Sequence, residues 1–163
     1  MTELAIRPAM AADEVSLWAI MEPVFRAGET YTMPRDISRE DALAYWTSPA
    51  HRVFVAEDRG KVIGTYILRA NQQGGGDHVC NASFLTAAVA QGRGVARTML
   101  AHALDTGRAE GYRAMQFNFV VATNARAVAT WERAGFAVVG RLPGAFRHPV
   151  HGEVDALVMH RPL

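Results

Sequence analysis

The 163-residue sequence contains one cysteine, Cys80, so no internal disulfide can form and a small stapled fold is excluded. No apolar run approaches the ~20 residues that a membrane span needs. The start, MTELAIRPAMAADEV, lacks the basic stretch and apolar core of a secretory leader. Charge of one sign is also scarce. The 17 Lys and Arg residues against 16 Asp and Glu leave +1 at pH 7, too little for a surface built on nucleic acid or an anionic membrane. Internal repeats and low-complexity segments are missing. These absences point to a cytoplasmic protein with no nucleic-acid or membrane partner. Half of the residues are hydrophobic, enough for a single domain over residues 1–163 with its own core.

Periodicity supplies the elements. Residues 4–7 alternate and end at Pro8, as a short strand does. A helix follows, with Asp13 at its cap, Val15, Leu17, Trp18, Met21 and Phe25 on one face, and Gly28 as its stop. Pro23 within it is expected to kink or divide the helix. Ser38 and Asp41 mark the start of a second helix carrying Leu43, Tyr45 and Trp46. Residues 52–57 and 62–68 read as a hairpin turning at Asp58-Arg59-Gly60-Lys61, with Gly64 marking a bulge. Strands at 78–86 and 115–121 flank a helix from about residue 95 to 110, which ends at Gly111. A helix over 124–134, closed by Gly135, precedes strands at 137–141 and 154–160, separated by a Pro/Gly/His loop. The order is β-α-α-β-β-β-α-β-α-β-β, a mixed α+β domain. Trp18, Trp46 and the methionines suit either the core or a homodimer surface.

Between the strand ending near Ala87 and the helix beginning near Val95 lies Gln91-Gly92-Arg93-Gly94-Val95-Ala96. A glycine-spaced turn that opens a helix can aim several N–H groups at an anion, with the helix dipole adding positive charge. Gly92 and Gly94 let the main chain approach a ligand where a Cβ would intrude. A phosphate or pyrophosphate suits such a turn.

A second piece, Asn124-x-x-Ala127-x-x-x-Trp131-x-x-x-Gly135-Phe136, follows a strand further on. In this order and spacing, it and the Gln91-x-x-Gly94-x-Ala96 turn resemble the GCN5-related N-acetyltransferase (GNAT) superfamily. The element order agrees along nearly the whole chain. The resemblance implies a mixed sheet flanked by four helices and splayed between its fourth and fifth strands, with acetyl-CoA in the opening and no metal. It implies that N–H groups of Gly92, Arg93, Gly94, Val95 and Ala96, extending to Arg97 and flanked by Gln91, hold the CoA pyrophosphate. Main-chain groups of Phe84, Leu85 and Thr86 would pair with the pantetheine arm like an added strand. A donor there, placed at Leu85, would polarise the thioester carbonyl. Asn124 either binds the pantetheine, with a catalytic part, or caps its helix. Trp131 departs from the tyrosine common in the family. Its indole N–H can donate a hydrogen bond to the leaving thiolate but cannot give up its proton, and packing is the other reading.

The acceptor side rests on polar residues inside strands. Asn81 and Asn118, the latter between Phe117 and Phe119, would line a pocket with Phe119 if the sheet splays there. Otherwise they patch unpaired backbone. Glu29, Thr30 and Tyr31 lie in the loop between the first two helices, which in this superfamily commonly closes over the acceptor. Glu29 either recognises the amine or takes its proton, or is a solvated carboxylate. His78 is an alternative base. His148, His151 and Asp155 are a weak metal set. The runs HVCNASFL, FNFVVATN and VDALVMHRPL resemble the branch that acetylates small amino or imino acids and their toxic analogues. Proline-analogue acetyltransferases are the nearest type, and the phosphinothricin/methionine-sulfoximine type is a neighbour. Acetylation of a peptide or protein N-terminus and a non-catalytic acetyl-CoA sensor are the rival readings.

Overall fold

A computed structural model describes residues 4–163. Among them, seven strands form one sheet in the order β1-β2-β3-β4-β5-β7-β6. Along the chain these are β1 (Ala5–Pro8), α1 (Glu14–Ala27), α2 (Arg39–Trp46), β2 (Arg52–Asp58), β3 (Lys61–Ala70), β4 (Val79–Thr86), α3 (Val95–Ala109), β5 (Ala114–Val121), α4 (Ala125–Arg133), β6 (Ala137–His148) and β7 (Gly152–Pro162). All neighbours run antiparallel except β4 and β5. That parallel pair is joined only at Val79–Ala114 and Cys80–Met115. Beyond Cys80 the two strands part, which gives the expected splay.

Two apolar clusters cover the two faces. On one side Met99, Leu100, Ala103 and Leu104 of α3, with Trp131 of α4, bury against Tyr66, Leu68, Cys80, Ala82, Met115 and Phe117. On the other, Leu17, Met21 and Phe25 of α1 and Leu43 and Trp46 of α2 bury against Val55, Ile67 and Leu85. Trp46 is fully buried, with its indole donating to Thr65 Oγ1 at 3.0 Å, so it belongs to the core. At Gly64 an added Cβ would lie 2.9 Å from Val95 and 3.1 Å from Met99. This residue is therefore where α3 presses on the sheet, next to the register shift between β2 and β3.

Three local expectations are corrected. Pro23 lies inside an unbroken α1; the helix tolerates the lost hydrogen bond because Leu17, Ile20, Met21 and Phe25 are all buried on one face. Asp13 does not cap that helix with its side chain. Its carboxylate instead accepts from Met10 N and both terminal nitrogens of Arg7, tying α1 to the sheet. The segment expected as a Pro/Gly/His loop belongs instead to a long hairpin, with β6 paired to β7 through His148–Gly152. Strand pairing there overrides the turn-forming composition.

Candidate active site

The turn before α3 has the properties of an anion seat. Gly92 and Gly94 hold positive φ of 78° and 80°, a region other residues avoid. A Cβ on Gly92 would meet nothing within 4 Å, so the space above it is open. The first helical bond runs from Thr98 N to Gly94 O at 3.0 Å. The N–H groups of Val95, Ala96 and Arg97 therefore have no main-chain acceptor among the described residues. No acidic side chain occupies that first turn. Arg93 is held to one side by Asp58 of the β2–β3 hairpin at 2.7 Å. Gln91 is exposed beside it.

Main-chain direction along β4 decides which groups face the opening. Ala87 N donates to Ile63 O and Asn71 N to Val79 O, so odd-numbered residues here bond to β3. Arg113 N donates to His78 O, so even-numbered residues face β5. The N–H and C=O groups of Ala82, Phe84 and Thr86 thus line the open side. Leu85 is corrected on this ground: its amide faces β3 and its side chain is buried under α1 and α2. The neighbouring donor on the open side is Phe84 N–H, and Ala82 joins the set.

Side chains divide by face. Cys80 is buried toward α3, its thiol pushed up to about 12 by burial and donating weakly to Ala114 O at 3.4 Å. Asn81 points the other way and is nearly buried. Its Nδ2 reaches Asn71 Oδ1 at 3.4 Å, and Asn118 Nδ2 reaches the same oxygen at 2.7 Å. Gln116 Nε2 donates to Asn118 Oδ1 at 2.9 Å. Four carboxamides therefore bridge the diverging strands. A register shift between Phe117 and Val120 inserts one extra residue into β5, and bulges of this kind re-aim side chains. Phe119 turns to Phe146 of β6, ring to ring at 6.2 Å.

Tyr31 reaches in from the α1–α2 loop and donates its hydroxyl to Phe84 O at 2.8 Å. Its ring packs edge-on against Phe25 at 5.6 Å. Burial raises its pKa above the ordinary tyrosine value. The loop is fastened by Arg26, which donates to the Arg35 and Ile37 carbonyls, and by Arg35 Nε, which donates to Arg26 O. Thr30 is half-buried next to Tyr31, whereas Glu29 is exposed and has no hydrogen bond among the described residues. The structure brings Tyr31, Asn81 and Asn118 to the opening, while Glu29 is exposed in the same loop and makes no hydrogen bond there among the described residues. His78 is exposed at the start of β4.

Across the opening, Asn124 Oδ1 accepts from Ala127 N at 3.4 Å as the N-cap of α4. Trp131 packs on Phe84 at 5.3 Å and Phe117 at 5.1 Å, two rings that also meet edge-on at 6.2 Å, and Phe136 stacks on Phe117 at 4.4 Å. His148 Nδ1 accepts from Val150 N and His151 N, and Asp155 binds Arg141 and Gly144 N. Turn geometry thus accounts for those three residues. Asn71 and Gln116 escaped the sequence reading: Asn71 follows β3 in a Gly-rich stretch that looks like plain loop, and Gln116 carries no motif. Its two-residue spacing from Asn118 on a strand is the signal that places both on one face.

The open, uncapped turn from Gly92 to Arg97 has free N–H groups that could hold a pyrophosphate, and the unpaired edge of β4 at Ala82, Phe84 and Thr86 could pair with an extended arm. A family profile described as acetyltransferase (GNAT) family matches residues 15–136. The N-acetyltransferase aca1 of Schizosaccharomyces pombe is 28% identical over 148 residues, covering 80% of this chain and 71% of the relative. A GCN5-related N-acetyltransferase from Kribbella flavida superposes with a TM-score of 0.93 at 43% identity, over 98% of each chain. A phosphinothricin acetyltransferase of Sinorhizobium meliloti, solved with acetyl-CoA, shares the fold with a TM-score of 0.85 at 24% identity, over 100% of this chain and 89% of its own. No helix among the described residues is long and apolar enough to cross a membrane. The chain belongs to the GNAT acetyltransferase family, whose members are acetyl-CoA-dependent acyltransferases.

Proposed function

We propose that this acetyltransferase acts on the amine of a small molecule, in the class of amino acids, imino acids and their toxic analogues, by direct attack in a ternary complex. The observation that carries the reading is the neutral carboxamide bridge of Asn71, Asn81, Gln116 and Asn118 at the point where β4 and β5 part. Such groups are costly to bury without partners, and their remaining donors and acceptors suit a small polar guest. Bound acetyl-CoA supplies the activated acetyl group. Phe84 N–H is placed to hold developing negative charge on the acyl oxygen. With its proton committed to Phe84 O, the Tyr31 oxygen can accept from the incoming amine. Glu29, exposed in the same loop as Tyr31, takes the released proton through water. Trp131 packs against both Phe84 and Phe117, and its indole N–H serves as a donor to the leaving sulfur. Cys80, buried on the other face with a raised pKa, provides no nucleophile.

Thiol release from acetyl-CoA with a panel of proline, proline analogues, methionine, methionine sulfoximine and short peptides tests the reading. Turnover on a small amine is expected. Turnover on peptides alone would sink it in favour of N-terminal acetylation, and acetyl-CoA binding without any turnover would mark a sensor.

A further inference from the structure

Four arginines are partly buried: Arg7, Arg26, Arg69 and Arg161. Arg7 pairs with Asp13 and Glu57, Arg26 binds the Arg35 and Ile37 carbonyls, and Arg161 binds Ala134 O. Arg69 has no hydrogen-bond or ion-pair partner among the described residues. Its stem packs on the sheet while its guanidinium is left without a protein partner, and such a fork is free to take an anion from outside the chain.

Its position favours the guest. Arg69 lies near the end of β3, directly across from Asn81. By strand alternation it shares a face with Thr65 and Ile67, the face of the acceptor opening. On its other flank is His51, whose Nδ1 bonds to Trp46 O at 3.1 Å. Burial, with the Arg69 charge acting in the same direction, holds that imidazole below its ordinary value. Asn81, Asn71, Gln116 and Asn118 continue the surface, and all are neutral. No carboxylate competes for the guanidinium. Along β4 the same face runs from Asn81 through Ser83 toward Tyr31, about 10 Å from the cation's cross-strand partner to Phe84 at ~3.3 Å per residue. The long arginine side chain can lean along the strand and shorten that distance, so the two ends suit an amine and a carboxylate carried on neighbouring atoms of one small molecule.

We infer that Arg69 is the anion seat of the acceptor site, so the preferred acceptor is a small amine that also bears a carboxylate or an equivalent oxyanion. The guanidinium fork matches a carboxylate with two parallel hydrogen bonds, and the carboxamides of Asn81 and Asn71 supply further donors to its oxygens. The inference rests on the reading of this opening as the acceptor site, and the two are separable by experiment.

Three methionine relatives differ at one position: methionine, methioninamide and 3-(methylthio)propylamine carry carboxylate, amide and hydrogen. The same acid and amide forms of proline and methionine sulfoximine extend the set. The wild-type enzyme should favour an acid over its amide by about 100-fold in kcat/KM. Arg69→Gln should abolish that preference by raising the KM of the acid far more than that of the amide or of 3-(methylthio)propylamine, with the KM of acetyl-CoA within twofold. Arg69→Lys should recover part of it. Arginine Nε–Hε NMR signals supply a readout independent of turnover. One signal, absent in Arg69→Gln, should shift with an acid and stay still with its amide. If that shift occurs without turnover on any acceptor, the anion seat stands and acetylation of small amines falls. Equal use of acid and amide by the wild type, or no shift of the Arg69 signal with any acid, would overturn the seat.

Discussion

The Tyr31 hydroxyl donates to the Phe84 carbonyl across 2.8 Å, and so joins the α1–α2 loop to the open side of the splayed strand. Without it, this carbonyl would face the opening with no strand partner. The bond also fixes which way the phenol oxygen presents its lone pairs. One contact therefore fastens the loop to the face that carries Asn81 and leaves Phe84 N–H without a partner on the open side.

Tyr31→Phe keeps the ring packed on Phe25 and removes only the hydroxyl. A single neutral hydrogen bond is worth about 1 kcal/mol net, so the melting temperature should fall by a few degrees. If Tyr31 accepts from the incoming amine as proposed, the kcat/KM for the acceptor should fall by about 10-fold, more than stability alone explains. Steady-state kinetics with each substrate varied in turn checks this. An acceptor kcat/KM equal to wild type would remove Tyr31 from the site.

Alkaline pH should destabilise the protein in a defined window. Burial raises the phenol pKa of Tyr31 and of Tyr66 and pushes the Cys80 thiol up to about 12. In each case the neutral form is favoured by folding. Their stability contribution is complete below the unfolded values, about 8.5 for cysteine and about 10 for tyrosine. It is lost as pH rises from there toward the raised native values, because the unfolded chain then releases protons that the native chain retains. Urea unfolding between pH 8 and 11 should show stability falling, steepest above pH 10. Thiol reagents at pH 8 should label Cys80 only upon unfolding.

Gly92→Ala tests the donor site. The cost to the fold should be about 1 kcal/mol from the positive φ, since nothing stands near the added Cβ. That same empty space is where a pyrophosphate would approach the N–H groups. The KM of acetyl-CoA should therefore rise by at least about 10-fold while the acceptor KM stays within twofold. Isothermal titration with CoA measures the binding part without turnover.

The fold was readable because its signals are local and periodic. Ser38 caps α2 through Asp41 N, Gly28 ends α1 in the left-handed conformation, and the Gly92–Gly94 turn opens α3. The family pattern then supplied the splay. The acceptor face was only half readable, because its parts lie on separate strands. Asn81 and Asn118 stood out as amides within apolar runs. Asn71, which accepts from both, sits beyond the end of β3, and nothing in its neighbourhood marks it. Leu85 was misassigned because the sequence tells that a strand pairs but not which residues face β3. That parity is set by the register of Ala87 with Ile63.

Asn71 therefore carries the sharpest test of the carboxamide bridge. Its Oδ1 is shared by Asn81 and Asn118, so Asn71→Ala should release both side chains, whereas Asn118→Ala releases only one arm and the Gln116 contact. If the bridge shapes the acceptor site, each variant should raise the acceptor KM about 10-fold or more, Asn71→Ala at least as strongly. Both should leave acetyl-CoA KM within twofold, if the donor binds the β4 main chain and the α3 turn as proposed. If the amides merely patch the strand ends, thermal stability should fall by about 1–3 kcal/mol and both KM values should stay near wild type. Melting curves and two-substrate kinetics on the same preparations separate these outcomes.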